Sequence, residues 1–205
     1  MTSITYRPTV DFHQRFDQAN ATTKDDALDV VKSIHEAAGT PNTFEPDKGG
    51  FSGLYWVCLR GHYPAAEWLL AQGAEPNGDN GGRLPGTLLA AVSGRNPDVV
   101  QLLIEAGADI NAKDVQLDTP VLKAVNYVEV QICRLLLDAG ADPSLQNVAG
   151  VSALNTRVHV RDEQTFSELF HEYGHKPQFD VYLQSGKEKF QQWLAARRKT
   201  SDTDE

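Results

Sequence analysis

The sequence LLIEAGADINAKD at residues 102–114 recurs almost unchanged as LLLDAGADPSLQN at residues 135–147. Its glycine belongs to a series with spacings of 34, 34, 33 and 34 residues: Gly39, Gly73, Gly107, Gly140 and Gly174. Apolar residues precede each glycine at i, i+3 and i+4 offsets, for example Val99, Leu102 and Leu103. These offsets place the residues on one face of a helix. The series therefore predicts a repeated structural unit.

Each unit is predicted to contain two helices. The glycine ends the longer helix in the left-handed conformation, where any side chain costs about 1 kcal/mol or more. A polar turn follows, and then a second, shorter helix at GLYWVCLRG (53–61), GTLLAAVSG (86–94), TPVLKAVNY (119–127) and SALNTRVHV (152–160). One such helix pair cannot bury its apolar face alone, so the pairs are expected to stack.

The period and the phrases resemble the ankyrin repeat. Thr119-Pro120-Val121-Leu122 and Ala90-Ala91 match the T-P-L-H-x-A-A part of its pattern, Gly61-His62 match the Gly-His part, and residues 99–104 and 107–111 match V-V-x-L-L-L and G-A-D-x-N. The resemblance is clear over about 51–147 and weaker at 24–43 and 148–178. It implies an all-α, ankyrin-type solenoid of about five helix pairs with a C-terminal capping helix and little or no sheet.

The ends of the stack are expected to be capped, because an open stack leaves an apolar face exposed. Phe12, Phe16 and Ala19 lie at helical spacing and start an N-terminal helix pair. Arg157 stands where two helices should pack closely, which predicts an irregular last repeat. We expect one repeat domain over 1–205, consisting of an N-terminal helix pair (1–40), ankyrin-like repeats (41–178), a C-terminal capping helix (179–199) and a disordered acidic tail (200–205).

The composition bears on the class of partner. The 205-residue chain has 19 Lys and Arg against 28 Asp and Glu, a formal net charge of −9. This balance argues against nucleic acid and favours a protein partner with a basic surface. We find no signal-peptide pattern at the start and no apolar run long enough to span a membrane. Cys58 and Cys133 lie in apolar helical contexts, which indicates buried free thiols and a cytoplasmic location.

One motif suggests catalysis. HEYGH at 171–175 matches the His-Glu-x-x-His signature of zinc proteases, which needs both histidines on one face of a continuous helix. Gly174 occupies the position that ends the repeat's helix, so the helix is expected to stop between His171 and His175. Glu188 is a nominal third ligand. We therefore expect that the protein is not an enzyme and has no cofactor and no metal site. The alternative function is a zinc-dependent hydrolase that uses residues 171–175.

The resemblance to ankyrin repeats implies that the short inner helices and the projecting turns line a concave face that binds partner proteins. By register with the family pattern, the exposed turn positions are Asp79, Arg83, Leu84, Lys113, Val115, Gln116, Asp118, Gln146, Val148 and Val151, and the exposed inner-helix positions are Leu59, Arg60, Asn126 and Tyr127.

Apolar residues at several of these turn positions are informative, because solvated turn tips are ordinarily polar. Leu84, Val115, Val148 and Val151, with Tyr127 nearby, indicate a mixed apolar and polar stripe that forms an interface. The alternative is that these side chains fold down onto neighbouring turns. The sequence thus predicts a non-catalytic protein–protein interaction module, monomeric by itself, that acts as an inhibitor, an immunity-type protein or an adaptor.

Overall fold

The computed structural model describes residues 15–19, 23–38, 44–45, 51–77 and 86–182. In chain order, these residues form α1 (15–19), α2 (Lys24–Ala38), β1 (Phe44–Glu45), β2 (Phe51–Ser52), α3 (Gly53–Leu59), α4 (Tyr63–Ala71), α5 (Thr87–Ser93), α6 (Pro97–Glu105), α7 (Pro120–Asn126), α8 (Val130–Asp138), β3 (Arg157–His159), α9 (Val160–Glu172) and β4 (Asp180–Tyr182). None of the described helices is both long and apolar enough to cross a bilayer.

The chain divides into two compact units, residues 1–153 and 154–205, where the repeat pattern predicts one domain. In the first unit the helices form two rows. The short helices α3, α5 and α7 pack successively on one another, and so do the longer helices α2, α4, α6 and α8. The pairs α3–α4, α5–α6 and α7–α8 join the rows. The predicted all-α stack of helix pairs is therefore confirmed.

Local signals fix where these helices begin. The Ser52 hydroxyl accepts a hydrogen bond from the Tyr55 N–H at 3.1 Å and starts α3, and the Thr119 hydroxyl accepts one from the Leu122 N–H at 3.3 Å and starts α7. Proline stands in the first turn of α4, α6 and α7, where its missing N–H has no helical partner to lose. His62 starts α4, because its Nδ1 accepts a hydrogen bond from the Ala65 N–H at 3.1 Å.

The predicted glycine stops are also found. Gly73, Gly107, Gly140 and Gly174 all have φ between +78° and +89°. The chain reverses at these positions through a bond from the following N–H to the helix, as when the Ala108 N–H donates to the Leu103 carbonyl oxygen at 2.9 Å. Gly39 lies outside the described residues.

The core of the first unit lies between the two rows of helices. Large apolar side chains fill it, including Leu54, Leu88, Leu103, Leu122 and Leu136, all at most 2% exposed. Phe16 of α1 is also fully buried, and its ring packs edge-on against His62 with 5.4 Å between centroids. Phe16 therefore lies in a helix, as predicted, and also joins the core, whereas Phe12 lies outside the described residues.

The segment 152–160, predicted as a short helix, is instead a turn followed by the strand β3. This prediction was wrong because β3 pairs in parallel with β4, with Arg157 opposite Asp180 and Val158 opposite Val181. The strand exposes Arg157 and buries Val158 and His159.

The sheet content agrees with the prediction, whereas the C-terminus differs from it. The described residues contain a second two-stranded pairing, the antiparallel β1 and β2, so the little or no sheet that we predicted takes the form of two short ladders. Asp180–Tyr182 form β4, so the capping helix predicted for 179–199 cannot begin at residue 179. Residues 183–199 and the tail 200–205 lie outside the described residues.

Candidate functional site

Two neighbouring loops, residues 113–118 and 146–151, form the most distinctive surface among the described residues of the first unit, and we call them the paired loops. The Val148 N–H donates to the Gln116 carbonyl oxygen at 2.9 Å. The Asn147 side-chain amide donates to Asp118 Oδ1 at 2.7 Å. Because one bond joins the backbones and the other joins the side chains, the loops are held side by side.

Each loop is closed by the same construction. Asp114 Oδ1 accepts hydrogen bonds from the N–H groups of Gln116 and Asp118, both at 2.9 Å. In the other loop, Asn147 Oδ1 accepts bonds from the N–H groups of Ala149 and Val151, at 2.9 and 3.0 Å. A short polar side chain that binds its own backbone in this way fixes a turn.

An ion pair ties the first loop to the short helix α7. Lys123 Nζ lies 2.8 Å from Asp114 Oδ2, and both side chains are largely buried. Burial by itself would raise the pKa of Asp114, but the hydrogen bonds from Lys123, Asp118 and Gln116 outweigh it, so the pKa is lowered. Burial likewise opposes the charge of Lys123, yet its bond to Asp114 prevails and its pKa is raised. Both groups are therefore charged in the folded protein at neutral pH.

The paired loops present apolar side chains to solvent. Val115 is 72% exposed, Val148 is 71% exposed and Leu117 is 42% exposed. The alternative that these side chains fold onto neighbouring turns is therefore wrong for Val115 and Val148, whereas Val151 is half-buried.

The predicted polar positions of the paired loops differ in exposure. Lys113, Gln116 and Gln146 are exposed and surround the apolar side chains. Asp118 is half-buried and bonded to Asn147. Leu117 was not predicted, although comparison with Gly150 in the next repeat could have singled it out, because the two occupy the same position 33 residues apart.

Two of the predicted inner-helix residues lie at the end of α3. Leu59, its last residue, is half-buried. Arg60 follows it and is exposed, but its Nε and Nη2 donate to the two carboxylate oxygens of Asp17 in α1, at 2.7 and 2.6 Å. The bond to Asp17 raises the pKa of Arg60. Arg60 therefore fastens α1 to α3.

The other two inner-helix positions lie at the end of α7. Asn126 is exposed and Tyr127 is half-buried. The guanidinium carbon of Arg95 stands 5.1 Å from the centre of the Tyr127 ring, and Arg95 Nε lies 3.7 Å from Glu129 Oε1. The paired loops lie at the opposite end of the seven-residue α7, about 10 Å away. Tyr127 therefore follows the end of α7 that is away from the paired loops. Asp79, Arg83 and Leu84 lie outside the described residues.

The longer helices α4 and α6 enclose a shallow groove of about 290 Å³, which Tyr63, Asp98, Gln101, Leu102 and Glu105 line. The Tyr63 hydroxyl donates to Glu67 Oε1 at 3.1 Å. This bond, with the negative charges nearby, raises the pKa of the Tyr63 hydroxyl. The groove is therefore acidic, and its character is complementary to cationic side chains.

The geometry of the second unit shows whether the two histidines of the zinc-protease motif share a helix face. Helix α9 ends at Glu172, and Gly174 follows with φ of +78°. The His175 N–H then turns back to the Phe170 carbonyl oxygen at 2.9 Å. His171 and His175 thus lie on either side of a helix end, as predicted, and do not share one helix face. Within the described ranges, which do not include Glu188, no three His, Cys, Asp or Glu side chains are grouped to hold a metal ion.

Comparison with known proteins agrees with the fold. Residues 19–114 match the family model of ankyrin repeats, in three copies. No curated protein matches the chain. The pattern continues beyond the matched residues, because Asn77 Oδ1 accepts from the Asp109 N–H at 2.7 Å and Asn111 Oδ1 accepts from the Asp142 N–H at 2.9 Å. Repeats of this type act as protein–protein interaction modules and are in general not enzymes.

Proposed function

Because this chain is an ankyrin repeat protein, we propose that it is a non-catalytic module that binds a partner protein through the paired loops. One observation carries the proposal, namely that Val115, Leu117 and Val148 stand in solvent on loops fixed by hydrogen bonds. Apolar side chains held rigid at the surface lose little conformational freedom on binding, so their burial contributes directly to affinity.

The proposed partner has a basic surface. The net charge of −9 and the acidic groove between α4 and α6 both support this, since complementary potentials speed encounter and disfavour wrong partners. The role that fits this charge is an inhibitor or immunity-type protein that covers a basic surface of its target, and an adaptor is the other form. We further propose that the chain is monomeric by itself. We also propose a cytoplasmic location, because Cys58 and Cys133 are buried free thiols.

Affinity capture tests the proposal. The immobilised chain is incubated with lysate of the source cells, and bound proteins are identified by mass spectrometry. The variant with both Val115→Asp and Val148→Asp is compared with the variant Gln131→Asp, which places one negative charge on the exposed face of α8. We expect the Gln131→Asp variant to capture the same protein as the wild type and the double variant to capture none.

The melting temperature separates binding from folding. All of the substituted side chains are exposed, so each change in stability should stay within about 0.5 kcal/mol. Undiminished capture by the double variant would show that the paired loops are not the binding surface.

A further inference from the structure

Leu117 holds a backbone conformation that disfavours leucine. Its φ is +61°, in the left-handed region that glycine adopts freely. Gly150 occupies the same position in the next loop, with φ of +74°. The turn is the same in both, because the Leu117 N–H donates to the Asp114 carbonyl oxygen at 2.9 Å and the Gly150 N–H donates to that of Asn147 at 3.0 Å. The fold therefore accepts glycine here, and the leucine side chain does not serve the turn.

The surface around Leu117 has an apolar centre and a polar border. Val115 and Val148 are the most exposed of the large apolar side chains described in the structure. The exposed Lys113, Gln116 and Gln146 lie within two positions of them in the sequence. The nearby carboxylate of Asp114 is turned inward to Lys123 and largely buried. Such an arrangement matches the centre and rim of a protein interface, in which the centre is depleted of charge.

We propose that Leu117, together with Val115 and Val148, inserts into an apolar pocket of the partner protein and determines how long the complex lasts. This inference rests on the function proposed above, and it assigns the association rate and the dissociation rate of the complex to different features of the protein. The overall negative charge sets the rate of association, which long-range attraction controls. The apolar contact at Leu117 sets the rate of dissociation, as buried anchors do in other interfaces.

Val128 provides a matched control for Leu117. Its φ is +61° and it is 47% exposed. Gly61 holds the equivalent position of an earlier repeat with φ of +62°. Val128 follows the far end of α7, away from the paired loops. The variants Leu117→Gly and Val128→Gly therefore relieve the same backbone strain, but only the first removes a side chain of the proposed contact.

The test measures binding kinetics by surface plasmon resonance. The analyte is the protein identified in the capture experiment, purified, and the surface carries the full-length wild type, Leu117→Gly, Val128→Gly, Leu117→Asn or Leu117→Met. Asparagine tolerates the left-handed conformation but is polar, and methionine keeps an apolar side chain. Association and dissociation rates are recorded at low and at high salt.

We expect Leu117→Gly and Leu117→Asn to dissociate about tenfold faster or more, and Val128→Gly and Leu117→Met to stay within about threefold of the wild type. Salt should slow association for all five proteins alike. The proposal would be overturned if Leu117→Gly dissociated at the wild-type rate. It would also be overturned if Val128→Gly dissociated as fast as Leu117→Gly.

The remaining outcomes are also decisive. If sedimentation equilibrium shows wild-type dimers that Leu117→Gly abolishes, a second copy of the chain occupies the surface and the proposed pocket is wrong. If the wild type captures no protein at all in the preceding experiment, the proposed function itself fails, and this inference fails with it. Capture by the wild type with no dependence on Leu117 would contradict this inference alone.

Discussion

Val128 is a residue whose replacement by glycine should stabilise the protein. A β-branched side chain at φ of +61° is unfavourable, because its branches crowd the backbone in the left-handed region. Since Val128 is exposed, removing it loses little buried surface. We expect Val128→Gly to raise the free energy of unfolding by about 1 kcal/mol, measured by urea denaturation. Val115→Gly, at a position without positive φ, should lower it instead, and equal effects of the two substitutions would contradict the explanation.

The ion pair of Asp114 with Lys123 predicts a specific pH dependence. The folded pKa of Asp114 is lowered, so its contribution to stability is complete above the ordinary aspartate pKa of about 3.9 and is lost as pH falls through the folded value. The folded pKa of Lys123 is raised, so its contribution is complete below the ordinary lysine pKa of about 10.4 and is lost as pH rises through the folded value.

We therefore expect Asp114→Asn to lower the free energy of unfolding by about 2 kcal/mol at pH 7, and by less below about pH 4. Urea denaturation of both proteins from acid to neutral pH measures the difference. The exposed Glu36 supplies the control, since Glu36→Gln should change stability by less than about 0.5 kcal/mol throughout. A deficit of Asp114→Asn that stays constant into acid would show that the charge of Asp114 is not responsible.

The contacts and backbone angles of single residues in the candidate site could not be predicted in full, for two physical reasons. The sequence predicts that Arg60 is an exposed cation at an inner-helix position. Its partner Asp17 lies 43 residues earlier and comes close only through the packing of α1. The exposure of Val115 and Val148 was anticipated from turn positions that are ordinarily polar. By contrast, the role proposed for Leu117 rests on its φ angle, which the sequence indicates only indirectly through Gly150.

At the scale of the helices, Gly94 fixes how closely α3 and α5 approach. A Cβ atom at Gly94 would overlap the carbonyl oxygen of Cys58 and stand 3.0 Å from that of Leu59. Both obstacles are backbone atoms, so the helices would have to separate. We expect Gly94→Ala to lower the free energy of unfolding by about 3 kcal/mol, measured by urea denaturation.

Gly107→Ala is the matched comparison for Gly94→Ala. Gly107 has φ of +84°, but a Cβ atom there would have no neighbour within 4 Å. Its replacement should therefore cost only the conformational term, about 1 kcal/mol. The interpretation fails if Gly107→Ala is the more damaging of the two, because close approach would then not be what Gly94 provides.

The helices were predictable where local signals repeat, and the strands were not. Apolar offsets and glycine stops recur from Gly73 to Gly140, and the helix pairs stand where these signals place them. Residues 152–160 carry apolar side chains at spacings that also suit a helix. The strand β3 forms there because it pairs with β4, whose residue 180 lies 23 positions after residue 157. Pairing over that distance leaves no local signature.

The first unit is a linear stack of helix pairs, in which each pair is stabilised by its contacts with the adjacent pairs. Asn77 and Asn111 each bond the backbone of the following repeat, so the same contact recurs along the row. A stack of this kind couples adjacent repeats strongly and distant repeats through those between them. The rigidity of the paired loops therefore depends on the interface between the repeats that carry them.

This organisation predicts a gradient of local stability that hydrogen–deuterium exchange can measure. In the described residues, α5 packs on α3, α6 and α7, and α6 packs on α4, α5 and α8, whereas α2 packs mainly on α4. Local opening of α5 or α6 must break contacts on both sides, while opening of α2 breaks contacts mainly on one. We expect amide exchange to be slowest in α5 and α6 and at least about tenfold faster in α2. Asn111→Ala should speed exchange most in α7 and α8, because it removes the bond that joins the repeat of these two helices to the repeat before it. A uniform increase across all helices would indicate one all-or-none unit instead of coupled neighbours.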